Sequence, residues 1–296
     1  MIPAPDRLVA STLCLRQVAL PAALALIKEV GLTAVDIGGL PGYCDHFDPR
    51  RTTVDSLAEW AEAVHRSGLR VHTLNVDVGA FNGAAESPEL VLARARHCLA
   101  AARRVGAHGV TFSPGAPVDR TTRPLGAELA MVAGWFRQVA QDAAAHGLVI
   151  SFEAPHRGGL IQNAAEAAAL MAACDHPNAR LVFDVGHHRR VSDDLPGAVR
   201  LLAPAIDHVH LKDQAGGKGC YPLGAGEVDF PGLFAALDRG GYRGCFALEF
   251  PDAAPTPAGV AALLRASLAY LERLRTASAD HPPAPAAPLP LTPLSR

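Results

Sequence analysis

Four residues stand at the ends of apolar runs and could hold one metal ion between them. Glu153 closes the run in SFEAPH and Asp184 the run in VFDVGHH, His210 lies in HVHLKD, and Glu249 closes the run in ALEF. A carboxylate at the end of an apolar run has left water and needs a cation, hydrogen-bond donors or a metal. Three carboxylates converging on one place repel each other, and a divalent cation removes that repulsion. Three carboxylate oxygens and one imidazole form a mostly hard donor set. It suits one divalent ion of the Mn²⁺, Co²⁺ or Mg²⁺ type, with positions open for substrate oxygens. Zinc ordinarily takes more nitrogen or sulfur and fits less well. Any one of these carboxylates could instead cap a helix or pair with an arginine, so the reading rests on all four together.

Such a centre does proton chemistry beside a carbonyl. A cation chelating adjacent carbonyl and hydroxyl oxygens acidifies the carbon-bound proton and stabilises an enediolate. One carboxylate takes the proton and another returns it. Elimination of water begins the same way, so the donor set does not separate isomerase, epimerase and dehydratase.

Other polar residues lie close in sequence. His187, three residues past Asp184, is a candidate substrate contact or extra ligand. His156, three residues past Glu153, is a second candidate contact. His72, on a predicted strand, is a third, with a core histidine as the alternative. Lys218, in QAGGKGC, could bind a hydroxyl, carboxylate or phosphate, and the glycines around it would allow a closing lid. His188 reads as a solvated loop residue and His208 as a hydrogen-bonded residue deeper in the interior. Lys212 and Asp213 read as partners of each other or of interior residues, outside the catalytic set. Asp229 before Pro231 reads as a helix N-cap. Cys14 could line a pocket, with nothing visible to activate it.

The elements that must position these residues alternate regularly. Strand-like runs at 8–13, 34–37, 69–74, 109–112, 148–153, 180–184, 206–211 and 245–250 are separated by helix-like runs. These fall at 21–30, 54–67, 88–105, 126–146, 163–173, 195–202, 231–239 and 257–275. Gly31, Gly68, Gly106 and Gly147 each stop a helix just before a strand, as a left-handed C-terminal cap requires. LVIS, RLVF and CFAL are continuous apolar runs, as in parallel strands buried on both faces. Eight such units predict an α/β chain folded as one (β/α)8 (TIM) barrel over residues 1–276. An open doubly wound sheet would carry a glycine-rich phosphate loop after its first strand, and residues 11–15 contain no glycine. Residues 277–296 are rich in proline and alanine and are expected to be extended or disordered.

Composition narrows the partners. Net charge is -2 with no basic stripe, which gives no basis for nucleic-acid binding. The six cysteines form no C-x-x-C pair, and a reduced, cytoplasmic setting is expected. No run approaches the ~20 apolar residues that span a bilayer, and no secretory pattern opens the chain. The expected partner is a small molecule.

Five segments together carry a resemblance to a family. SFEAPH, FDVGHH, HVHLKD, LGAGEVDF and ALEF span roughly residues 148–250. Their pattern resembles the xylose isomerase-like barrel superfamily of sugar isomerases and epimerases, of which AP endonucleases are a distant branch. The earlier half matches only in its strand–helix rhythm. The resemblance implies that Glu153, Asp184, His210 and Glu249 ligate the metal. It implies that Glu153 and Glu249 are the acid–base pair and that His187 contacts a sugar or polyol substrate. It also implies a homodimer or homotetramer. An inosose dehydratase-like reaction on the same site is the alternative. The AP-endonuclease pattern departs at two places, since TFSPG has Ser113 where a histidine belongs and Asp229 is followed by Phe230 and Pro231. A non-catalytic sugar-binding barrel is disfavoured because the acid–base residues are all present. Only Lys218, Arg157 and Arg189 lie near enough in sequence to meet a phosphate, so an unphosphorylated substrate is expected.

Overall fold

Runs apolar on both faces can be buried only inside a covered sheet, and here they close on themselves. In the computed structural model, which describes residues 2–156, 158–192, 194–216 and 218–280, the first seven strands are parallel neighbours in chain order. They are β1 (Leu8–Ser11), β2 (Ala34–Gly39), β3 (Arg70–Val76), β4 (Gly109–Phe112), β5 (Val149–Glu153), β6 (Ala179–Asp184) and β7 (Ile206–Leu211). A small antiparallel hairpin follows, β8 (Asp213–Ala215) with β9 (Lys218–Tyr221). β10 (Phe246–Leu248) then pairs with both β7 and β1 and completes an eight-stranded closed barrel. The expected (β/α)8 barrel is the observed fold.

The surrounding helices are α1 (Leu20–Glu29), α2 (Val54–Ser67), α3 (Pro88–Arg104), α4 (Leu125–Ala144) and α5 (Ala164–Cys174). After them come α6 (Val185–Arg189), α7 (Leu195–Leu202), α8 (Phe230–Arg239) and α9 (Pro257–Asp280). Gly68, at the end of α2, has φ +70, a conformation that a Cβ would strain, and Gly147 after α4 has φ +69. Three local features depart from expectation. The first strand stops at Ser11, whose hydroxyl accepts from the Leu13 N–H and turns the chain into a short 3-10 segment, Thr12–Leu15. The short helix α6 follows Asp184 directly, because the Asp184 carboxylate accepts from the His187 N–H and caps it. The glycine-rich loop around Lys218 is largely the β8–β9 hairpin. α9 runs to Asp280, and residues 281–296 of the expected tail lie outside the described residues.

Small residues let the helices approach the sheet. Ala95, Ala101 and Ala102 of α3 are fully buried, and Phe136 of α4 packs on Phe152 of β5 with ring centroids 4.2 Å apart. The barrel interior is less apolar. Val9, Ala34 and Ala247 form a small cluster of their own, while Asp36, Ser151, His208 and His210 are buried and polar. The six cysteines are free, and no described helix is long and apolar enough to cross a membrane.

Candidate metal centre at the barrel mouth

Register brings the four expected ligands together. Asp184 of β6 pairs with His210 of β7, and His210 pairs with Ala247 of β10. Glu153 ends β5 beside Val182 of β6. Glu249 lies one residue past β10, but its N–H still bonds the Leu211 carbonyl at 3.0 Å. Four neighbouring strands thus deliver four side chains to the C-terminal end of the barrel, where barrel enzymes keep their active sites. One donor atom from each of Glu153, Asp184, His210 and Glu249 lies within 4.8 Å of the other three.

His210 Nδ1 is the hub. It stands 3.3 Å from Glu153 Oε1, 3.5 Å from Asp184 Oδ2 and 3.2 Å from Glu249 Oε2. Lys212 Nζ is wedged beside it, 2.6 Å from Asp184 Oδ2 and 2.8 Å from Glu249 Oε2. Asp184 Oδ2 is thus buried in a close ion pair with the ammonium. Glu249 Oε1 accepts from the Ser11 hydroxyl at 3.2 Å.

Charge governs the protonation states. Burial alone would raise the carboxyl of Asp184, but Lys212, His187 and His210 outweigh it and hold it well below the usual range. Glu249 is likewise held down against burial by His210 and Lys212. Burial would lower the His210 imidazole and the Lys212 amine, yet the surrounding carboxylates hold both protonated, well above their ordinary values. Three carboxylates against two cations leave the centre one negative charge in excess. Together with four donor atoms within 4.8 Å of one another, that excess fits a divalent cation, which would take over the charge role of the Nδ1 proton and the ammonium.

A hydrogen-bonded chain holds His210 from behind. Its Nε2 lies 3.2 Å from His208 Nε2, and His208 Nδ1 lies 3.0 Å from Asp207 Oδ2. Asp207 also meets His108 Nε2 at 2.8 Å and accepts from the Ser151 hydroxyl at 3.2 Å. Its carboxylate can only accept, which puts the His208 proton on Nδ1. His208 Nε2 then accepts from His210 Nε2–H, and His210 presents Nδ1 to the mouth. Burial would raise Asp207, but the bonds from His108 and His208 hold it below the ordinary carboxylate range. Partners of this kind orient metal-ligating histidines, and losing one ordinarily weakens metal binding about 10- to 100-fold. Asp207→Asn is therefore expected to weaken Mn²⁺ binding by roughly that factor in calorimetric titration. Unchanged affinity would show that the chain does not orient His210.

The centre opens into a cavity of about 540 Å³ lined by Glu153, Glu249, Lys212, His187 and His156 among others. α6 brings His187 Nε2 to 3.5 Å from Glu153 Oε1, and the His156 ring centroid is 4.5 Å from that of His187. Lys218 opens β9 opposite Ala215, and its side chain lies outside the described residues, as does Arg157.

Some expectations are corrected. His72 does not reach the mouth. It is the third residue of β3, close to that strand's start, and packs between His108 and His208 at ring distances of 5.2 and 5.0 Å. Asn75 and Val76, at the end of the same strand, line the mouth instead. His188 is 1% exposed rather than solvated, because α6 turns it back onto Phe183 at 3.9 Å, and burial pushes its imidazole down to about 3. Cys14 is buried against Leu248 and Phe250 and does not line this cavity, its thiol pushed by burial up to about 12. His208 is the interior residue expected, and Asp229 caps α8 through the Gly232 N–H. Asp213 gathers the N–H groups of Gln214, Gly224, Gly226 and Val228, fixing the loop beyond the hairpin. Lys212 is the central residue that the sequence reading left outside the site. The signal was present, since residues 208, 210 and 212 alternate onto one face of one run.

Known proteins support the same assignment of fold. A putative hydroxypyruvate isomerase of Homo sapiens is 33% identical over 95 residues, 32% of this chain and 34% of that protein. A 3-dehydroshikimate dehydratase of Pseudomonas aeruginosa is 34% identical over 159 residues, 49% of this chain and 25% of that protein. The chain thus spans about a third or less of these curated relatives. The crystal structure of a 3-keto-D-glucoside 4-epimerase from E. coli superposes with a TM-score of 0.70 at 24% identity, covering 90% of this chain and 99% of that one, a likeness of fold. Related proteins therefore include an isomerase, a dehydratase and an epimerase. The model of the xylose isomerase-like TIM barrel matches residues 24–274, most of the chain, and the chain belongs to that family.

Proposed function

We propose that this protein is a divalent-metal-dependent isomerase or epimerase of a small sugar or keto-polyol, with Glu153 and Glu249 as its acid–base pair. The observation that carries the reading is that both carboxylates approach the same imidazole nitrogen, 3.3 and 3.2 Å from His210 Nδ1, and both line the mouth cavity. Glu153, Asp184, His210 and Glu249 would hold the ion, with Mn²⁺, Co²⁺ or Mg²⁺ favoured by the carboxylate-rich set. When bound, it would polarise adjacent carbonyl and hydroxyl oxygens and make the carbon-bound proton more acidic. Glu153 and Glu249 then exchange that proton, one as base and the other as acid. His187 and His156 are placed to orient hydroxyl groups across the cavity. Asp184 anchors the centre without a proton-transfer role, since it is fully buried and, unlike Glu153 and Glu249, does not line the cavity.

The test is proton exchange. Protein loaded with Mn²⁺ is incubated in heavy water with a panel of free keto-sugars, polyol ketones and small hydroxy-keto acids. Deuterium entering a substrate carbon, together with isomer or epimer formation, is the expected result. A metal-loaded protein that exchanges no carbon-bound proton across the panel refutes the reading. The dehydratase relative gives a specific reason to follow elimination in the same assay, and loss of water from the substrate would select that second reading.

A further inference from the structure

The opposite end of the barrel holds a second cavity, of about 580 Å³, that the reaction at the mouth does not use. Its wall includes Arg70, Arg180 and Arg243 together with His72, His108 and Asp207. The arginines arrive there because each stands at a strand start: Arg70 opens β3, Arg180 is the second residue of β6, and Arg243 precedes β10. Arg7, just before β1, packs behind the same wall, with its Nε on the Gly244 carbonyl at 2.8 Å and its guanidinium over the Tyr242 ring. Of these four arginines, Arg243 alone has a carboxylate within ion-pair distance among the described residues. Asp207 is the wall's carboxylate, and its oxygens are already engaged by His108, His208 and Ser151. Among the described residues Arg180 donates to the Ile206 carbonyl, at 3.5 Å.

Two buried nitrogens at this end have no hydrogen-bond partner among the described residues. Arg7 Nη2 and His72 Nε2 are buried without a hydrogen bond, and His72 is 4% exposed. Buried polar atoms are nearly always satisfied, so each points to a missing partner or water. Gly240 and Gly241 contribute wall without side chains and leave the space open. Excess cationic charge, forked guanidinium donors and an unpartnered buried imidazole nitrogen around one concavity match an anion with several acceptor oxygens.

We propose that the cavity at the N-terminal end of the barrel is a binding site for a phosphoryl dianion, held chiefly by Arg70, Arg180 and Arg243. The ligand is either free phosphate or the phosphoryl group of a small metabolite, since both present the same oxygens.

The test follows the amide signals of the metal-loaded, full-length protein by NMR while inorganic phosphate is added at constant ionic strength. Saturable shifts at Gly240, Gly241 and Gly244, with Gly158 and Gly186 at the mouth unmoved, are expected. Arg70→Ala with Arg180→Ala should weaken binding by at least about tenfold, while the charge-keeping Arg70→Lys with Arg180→Lys, which loses only the guanidinium fork, should weaken it less. Arg70→Ala alone, at an exposed position, serves if the double variant fails to fold, and should still weaken binding severalfold. A hexose phosphate titrated in parallel separates the sources: exclusion of it assigns free phosphate, and equal or tighter binding assigns a phosphorylated metabolite. Shifts confined to the mouth, shifts that never saturate, or binding indifferent to loss of the arginines would overturn the site.

Discussion

Glu249→Gln is expected to end turnover while leaving the barrel folded. Glutamine keeps the shape of the side chain and an oxygen for the Ser11 hydroxyl, which donates to Glu249 Oε1 at 3.2 Å. It removes one negative charge, one of the four proposed ligands and one member of the proposed acid–base pair. Loss of general acid–base catalysis alone slows a reaction about 10²- to 10⁴-fold, and a weakened metal site adds to that. Metal content measured on desalted protein should fall from near one ion per chain to well below it. Glu153→Gln makes the informative comparison. Glu153 is farther from Lys212, and its side chain is 19% exposed, so its loss disturbs the buried charges less. Both variants should lose product formation. One of them should still wash deuterium into the substrate carbon, because the remaining carboxylate can remove a proton that its missing partner cannot return to the other face. A variant that turns over at the wild-type rate would remove that glutamate from the pair. Equal loss of exchange and product in both would mean that each change acts only by expelling the ion.

The barrel and the four candidate ligands were legible because local signals and the global fold agree. Continuous apolar runs, glycine stops and regular spacing each follow from burying parallel strands beneath helices. Glu153, Asp184 and His210 stand within the last two residues of their strands, where several ionisable residues ending successive apolar runs point to one shared site. Glu249 was legible for the same reason, although it lies just beyond β10 and is held there by the Leu211 carbonyl. What failed depended on depth and on contacts made across the barrel. His72 shares a strand with mouth residues, and only its distance from the strand end places it in the interior. His188 could not be oriented without α6, a five-residue helix whose cap is the Asp184 ligand itself. Asp207 reads as one more charge at a strand start. Its role appears only when His208 is seen bridging it to His210.

Lys212 follows from that same chain of contacts, and its removal should have the largest effect on stability. Its ammonium lies 2.6 Å from Asp184 and 2.8 Å from Glu249, and the side chain is 6% exposed. Lys212→Met keeps the apolar stem and removes the charge, leaving two buried carboxylates with only His210 between them and Glu153. Stripping one partner from a buried ion pair costs about 3–5 kcal/mol. For a chain of this size that corresponds to a fall of roughly 10 °C in the melting temperature of chelator-treated protein. A divalent ion should reverse much of that fall, because it restores positive charge to the same oxygens. In the native protein a bound ion would compete with the ammonium for Asp184 and Glu249, and Nζ would have to give way towards the cavity that Lys212 lines. In the variant it meets no rival. The thermal stabilisation produced by Mn²⁺ should therefore be larger in Lys212→Met than in the native chain, and its affinity tighter. A metal-free melting temperature equal to the native one would show that the ammonium is not what balances these carboxylates. A smaller metal increment in the variant would place Lys212 as a partner of the ion and not its competitor.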